Sequence, residues 1–201
     1  MGLLTGSSSC VRFTVGGSPP SNFWDFVAER VAANSFRDID DNMDEYSIGW
    51  VSVANMFDAD FAYSSYAAAD YVVLTMRVDE RKVSPAVVKK CVMKEEERIK
   101  KDRQLPQLGR AVRLEIKERV RAELLRKSVP VPATYDLCWN LGDATLLFFS
   151  TNKKALSQLE DLFRDTFDMP LTLQIPWTAG ERLVAGEYQA GFEDLRPALL
   201  I

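Results

Sequence analysis

The sequence predicts an α+β fold: two antiparallel-sheet/helix half-units with a long charged helical pair inserted between them. Three observations carry that expectation. Short runs of alternating or β-branched residues recur towards both ends of the chain. Each group of runs is accompanied by a helix whose apolar residues fall at i, i+3 and i+4 spacing. Between them, Pro85 to Lys127 has helical spacing, dense charge and no strand pattern. Helices segregated to one face of antiparallel sheets are the arrangement that buries such stripes. The expected boundaries are 1–82, 83–127 and 128–201.

The elements follow in order. Val11 to Val15 alternates apolar and polar residues and reads as a strand. Gly16-Gly17-Ser18-Pro19-Pro20 is a turn. Ser21 fits an N-cap, and Phe23, Phe26, Val27 and Val31 form an amphipathic stripe that ends near Ala33. After the acidic loop Arg37 to Glu45, strands are expected at Ser47–Val53, Ala59–Tyr66 and Asp70–Val78. Ser84-Pro85 is a helix start, because Ser supplies a cap oxygen and Pro at the first position loses no needed hydrogen bond. That helix runs to about Arg103. Leu105-Pro106 breaks it, since proline disfavours helical geometry in the residue before it. A second helix runs to about Lys127, and Val129-Pro130-Val131-Pro132 reads as a stiff extended connector. Tyr135–Leu141 and Thr145–Thr151 flank the turn pair Gly142-Asp143. Lys153 to Phe167 is an amphipathic helix, Leu171–Ile175 a last strand, and Gly180 to Leu195 carries a weak helical pattern.

Composition excludes several function classes. With 201 residues, 47% of them hydrophobic and 27% charged, the chain resembles an ordinary globular protein able to bury a core. No apolar run approaches the ~18 residues of a membrane span. The first residues lack a secretory pattern, so a cytoplasmic location is expected. Cys10, Cys91 and Cys138 are odd in number and far apart, which fits buried free thiols better than disulfides or a zinc site. There is no histidine. This removes the Ser-His-Asp and Cys-His nucleophile pairs and the commonest general base and metal ligand. No cofactor is expected.

Charge is unevenly spread. Arg77 to Lys127 holds 17 Lys and Arg against 9 Asp and Glu, a net +8, while the rest of the chain holds 8 against 20, a net −12. A local excess of this kind is the footprint of a surface for polyanions. Arg110, Arg113, Lys117 and Arg121 are spaced to fall within an arc of about 80° on one helix. Val112, Ile116 and Val120 form an apolar stripe beside them. Lys82, Lys89, Lys90, Lys94, Lys100, Lys101 and Arg103 extend the candidate DNA-binding set. A row of long cations matches a phosphate backbone. No helix-turn-helix or zinc-finger pattern is present to read bases, so sequence-independent binding of duplex and single-stranded DNA is expected.

The acidic loop offers a rival. Asp38, Asp40, Asn42 and Asp44 share the spacing of the first calcium ligands of an EF-hand loop. The match then fails, because Met43 stands where the sharp turn needs glycine and Gly49 where a bidentate glutamate is needed. Asp38, Asp40, Asp41, Asp44 and Glu45 could still hold Mg²⁺ in a metal-dependent nuclease. A solvated acidic loop explains them more simply, so no metal site and no catalysis are expected. Trp24, Trp50, Trp139 and Trp177 lie in apolar segments and are expected in the core. A third reading makes the charged helical pair a protein-interaction module.

Val72–Val92, VVLTMRVDERKVSPAVVKKCV, resembles the strand, basic turn, proline and helix entry of the recombination-associated RdgC family. The likeness continues through Leu124-Leu125-Arg126-Lys127, the Tyr135–Thr151 strand pair and the helix opened by Lys153-Lys154. Gly49-Trp50-Val51 is similar to that family's early Gly-Trp-Val strand. The resemblance covers roughly Ser47 to Pro176, and the pattern of Lys82, Pro85 and Lys89 before a long helix is matched. It implies a nucleoid-associated homodimer, ring-shaped with a basic central hole, that binds DNA with little sequence preference and restrains RecA-driven strand exchange. The family also carries an exonuclease label. Its typical members continue well past the point where this chain stops at Ile201, in a part that helps build the ring, so the resemblance does not carry ring closure over.

Overall fold

A computed structural model describes residues 2–4, 9–184 and 186–196. Its elements are β1 (Val11–Val15), α1 (Phe23–Ala33), β2 (Tyr46–Val51), β3 (Ala67–Ala68), β4 (Tyr71–Arg81), α2 (Pro85–Asp102), α3 (Arg110–Lys127), β5 (Pro130–Asn140), β6 (Thr145–Phe148), α4 (Lys153–Phe167), β7 (Leu171–Leu173), α5 (Pro176–Leu183) and α6 (Gln189–Glu193). The fold is α+β, as the sequence predicts. Strands from both halves of the chain join one antiparallel sheet in the order β2-β4-β5-β6-β1-β7, with β3 paired to β4. Its registers include Phe13 opposite Leu146 and Leu173, and Trp139 opposite Leu146.

The chain forms two compact units. The first comprises residues 1–35, 50–76 and 135–201. Its core is laid down by α4, whose Leu159, Phe163 and Phe167 are fully buried. The ring of Trp139 meets those of Phe163 and Phe167 at centroid distances of 5.3 and 5.5 Å, in edge contacts. The indole of Trp50 donates to the Thr166 hydroxyl at 2.8 Å, and that hydroxyl donates to the Leu162 carbonyl at 2.7 Å. A buried polar pair is thus satisfied inside the apolar layer. The α4 start is held by Asn152, whose side-chain oxygen accepts from the Lys154 N–H at 2.9 Å.

The second unit comprises residues 36–49 and 77–134. It consists of the α2–α3 hairpin, the acidic loop and the ends of β4 and β5 that reach into it. Leu108, Ile116 and Val120 form its small apolar core, with Cys91, Val92, Ile99, Val112 and Leu124 packed against them.

Several local expectations need correction. Asn22, not Ser21, occupies the α1 N-cap, and its side chain makes no capping bond. Ala59–Tyr66 is not a strand. The Asp58 carboxylate accepts from the Asp60 and Phe61 N–H groups, and Phe61, Tyr63 and Ser64 adopt positive φ around a single 3-10 turn. A short side chain that captures its own backbone competes with the ladder there. Val129–Pro132, expected as a stiff extended connector, is extended but already belongs to the sheet from Pro130, which opens β5. The β6 ladder covers Leu137 to Asn140 of β5, so the prolines lie outside that pairing, where their missing N–H costs no β6 bond. Trp50 and Trp139 are core residues, but Trp24 and Trp177 are about 40% exposed. Trp177 stacks on Phe192 and donates to Glu181 instead. The cysteines are free, yet Cys10 is exposed and Cys91 and Cys138 are only half-buried. Burial pushes the Cys138 thiol pKa up. The apolar tail Ala198–Ile201 lies outside the described residues.

Candidate nucleic-acid interface

The α2–α3 hairpin forms where the sequence places it. Pro85 opens α2 after Ser84, although the Ser84 hydroxyl makes no cap bond and its carbonyl accepts from the Val88 N–H at 3.1 Å instead. Residues 103–109 turn the chain, and Gly109 caps α3 in an extended conformation. The two helices pack through the apolar cluster just described. They are also tied by the Glu95 carboxylate, which accepts from Arg98 at 2.7 Å and from Arg119 of the facing helix at 2.5 Å.

The hairpin has two unlike flanks. Between the helices on one flank runs a groove of about 780 Å³. It is lined by Lys94, Arg98, Lys101, Arg119 and Lys127, but also by Glu95, Glu97 and Glu123, so three acids offset part of its cationic charge. At about 100° per residue, Arg113, Lys117 and Arg121 project on the opposite flank of α3, with Arg110 at its start. All four are exposed, and none forms an ion pair among the described residues. Their rise from Arg110 to Arg121 spans roughly 16 Å. On α2, Lys89 and Lys100 project to this same flank by the same spacing.

The sequence-predicted site therefore divides. Lys89, Lys100, Arg110, Arg113, Lys117 and Arg121 come together on the unpaired flank, with Lys100 half-buried at its edge. Lys94 and Lys101 line the groove on the other flank. Lys90 and Arg103 are exposed without belonging to either row. Lys82 is exposed but pairs with Glu80 at 3.0 Å.

Two cations counted in the net +8 are not surface charges at all. Arg77 and Arg81 are buried on β4. The Arg77 guanidinium is clamped by both oxygens of the buried Asp79 carboxylate at 2.9 and 2.6 Å, and it lies over the Phe36 ring at 4.2 Å. The hydrogen bond that Arg77 donates to Asp79 pushes the Arg77 pKa further up, so the charge is permanent. Arg81 donates to the backbone carbonyls of Ile39, Asn42, Asp44 and Ser128. It gathers the acidic loop from behind.

Two of the loop's acids, Asp38 and Asp44, take part in shaping the loop. The Asp38 carboxylate accepts from the Asp40 N–H at 2.7 Å and lies 3.9 Å from Arg77. The Asn42 side-chain oxygen accepts from the Asp44 N–H at 2.7 Å, and its amide donates to the Asp44 carboxylate at 3.0 Å. Among the described residues, no group of three or more Asp, Glu or Cys side chains is placed to hold a metal ion. Sequence reasoning missed the Arg77–Asp79–Arg81 alternation on one face of β4. That period of two in a strand was the available signal.

A family model described as "Putative exonuclease, RdgC" matches residues 23–179. No curated protein matches the chain.

Proposed function

Because the chain belongs to the RdgC family, we propose that it is a recombination-associated protein that binds DNA without sequence preference along the open flank of α3. The observation that carries this reading is the row Arg110, Arg113, Lys117 and Arg121, exposed, free of ion pairs and confined to one side of a rigid helix. Phosphates of the backbone recur in any sequence, and cations held at one-turn intervals meet them without consulting the bases. Counterions released from the DNA drive the association. In this reading, occupying DNA is how the protein would restrain RecA-type strand exchange, and the protein would be associated with the nucleoid. No helix among the described residues is long and apolar enough to cross a membrane.

The test is a gel-shift titration on duplex and single strands at several salt concentrations. Binding to unrelated sequences should be equal within a few fold and should weaken with a log–log slope of about −0.9 per phosphate neutralised on duplex. Affinity that holds constant across salt would remove the DNA reading and favour a protein-interaction module.

The protein is proposed to act as a homodimer, which doubles the row by two-fold symmetry. Leu183, Tyr188 and Leu195 are exposed apolar side chains of the kind a partner copy could cover. Light scattering at micromolar concentration should give twice the mass of one chain, and a single-chain mass would contradict it.

Binding without cleavage is the proposed mode, even though the family description names an exonuclease. The Asp38 and Asn42 side chains are committed to the loop's own backbone. End-labelled linear DNA incubated with the protein and Mg²⁺ or Mn²⁺ should stay intact. Cleavage that disappears on changing Asp40 and Asp41 to Asn would establish the nuclease instead.

A further inference from the structure

The first compact unit carries a surface opposite in character to the α3 row. Its Trp50–Met76 segment has three Asp and no Lys or Arg. Within that stretch the turn around residues 60–69 closes over the outer face of α1. Two adjoining depressions result, of about 410 and 420 Å³. The first is lined by Trp24, Asp25 and Ala28, the second by Ala28, Ala32, Asp60 and Tyr63, and they share the Ser64–Tyr66 wall. Trp24 is partly exposed and Tyr63 fully so. The one cation of α1, Arg30, lies over the Phe26 ring at 5.4 Å and lines neither depression.

Each depression thus offers one aspartate, at least one exposed ring beside the shared Tyr66, and small residues such as Ala28. A ring face and a carboxylate are the two groups that bind an alkyl ammonium or a guanidinium, one through its quadrupole and one through its charge. The depressions follow α1 from Trp24–Ala28 to Ala28–Ala32, so their centres are one helical turn apart, about 6 Å. A partner must therefore present two cations at that same interval. In this chain Arg113, Lys117 and Arg121 do so, four residues apart along α3, and they are free of ion pairs.

We propose that the paired depressions at Trp24/Asp25 and Tyr63/Asp60 dock the α3 row of a second copy of this chain, in a head-to-tail contact that DNA displaces. The occupant follows from charge complementarity, since the row belongs to a segment of net +8 and the remainder of the chain carries −12. The row and the depressions are different surfaces, so the contact is heterologous and either closes into a ring or continues from copy to copy. It is separate from any two-fold dimer. It rests on the reading of the row as available to anions. DNA and the second copy then compete for the same cations, which makes the free protein self-associated and the DNA-bound protein dispersed.

The experiment is sedimentation of the full chain at about 50 mM and about 500 mM salt, with and without a short duplex. The low-salt sample should show mass growing with concentration beyond the species seen at high salt, and the duplex should reverse that growth. A D25N/D60N variant should lose the salt-sensitive growth while binding DNA as the original chain does. An R113Q/K117Q/R121Q variant should lose both. Mixing the two variants should restore pairing, because one supplies the row and the other the depressions. Growth undiminished in D25N/D60N would overturn the proposal, as would equal mass at the two salt levels. Growth that persists in the original chain without any DNA binding would leave the contact standing and sink the DNA reading alone. Mass restored in D25N/D60N by an added Arg-rich peptide would also overturn it, since the occupant would not need these pockets.

Discussion

A chain with Arg113, Lys117 and Arg121 all changed to Glu keeps its fold and loses DNA binding, by on the order of a thousandfold at physiological salt. The three side chains are exposed on one flank of α3 and make no ion pair, so their removal breaks no contact within the molecule. Glu is as good a helix former as Arg or Lys, and exposed substitutions of this kind usually shift stability by about 0.5 kcal/mol or less. The new carboxylates instead repel each phosphate the cations attracted. Circular dichroism should be unchanged while the gel shift disappears. A folded variant that still shifts DNA would move the interface to the Lys94–Lys101 groove, where cations are interleaved with Glu95, Glu97 and Glu123. The same reversal placed on Lys94 and Lys101 should cost far less affinity for that reason.

The largest expected effect on stability comes from Asp79→Ala. Asp79 and Arg77 are both almost fully buried and joined by two hydrogen bonds. Removing the carboxylate strands a permanent cation, and breaking a buried pair in this way costs about 3–5 kcal/mol. The exposed Asp38, 3.9 Å away, and the Phe36 ring recover only part of this. Urea denaturation should show the midpoint falling. Replacing both partners by apolar residues, Arg77→Met with Asp79→Leu, should cost much less than Asp79→Ala alone, because no charge is then left unpaired. If the single and double variants are equally unstable, the pair matters through packing and not through charge.

How far the sequence foretold the molecule depended on whether the signal was local. The α2 helix was legible because Ser84-Pro85 punctuates it, and α4 because its apolar residues keep a helical period. The α3 row was legible because a helix places i, i+4 and i+8 together whatever it packs against. The 59–66 segment was not. Its Phe61, Tyr63 and Tyr66 are residues that strands favour, but Asp58 captures the backbone and left-handed residues follow. Net charge misled for a related reason. Arg77, Asp79 and Arg81 sit in a strand buried on both faces, where Arg77 and Asp79 pair with each other and the Phe36–Gly49 segment brings the Phe36 ring and further carbonyls to the two arginines. The same cause hides the role of the acidic loop. Its calcium-like spacing is real in sequence, yet the carbonyls of Ile39, Asn42 and Asp44 are drawn to Arg81 and its side chains turn to neighbouring amides.

The most direct measurement is the salt dependence of duplex binding compared between the original chain and an R113Q/K117Q/R121Q variant. Neutral glutamines take three cations away from the phosphates without adding repulsion. If the α3 row is the interface, the log–log slope should become shallower by about 2.7, one step of about 0.9 for each of the three charges removed, alongside weaker binding at every salt concentration. An unchanged slope, with the variant folded, would show that these cations do not meet phosphate.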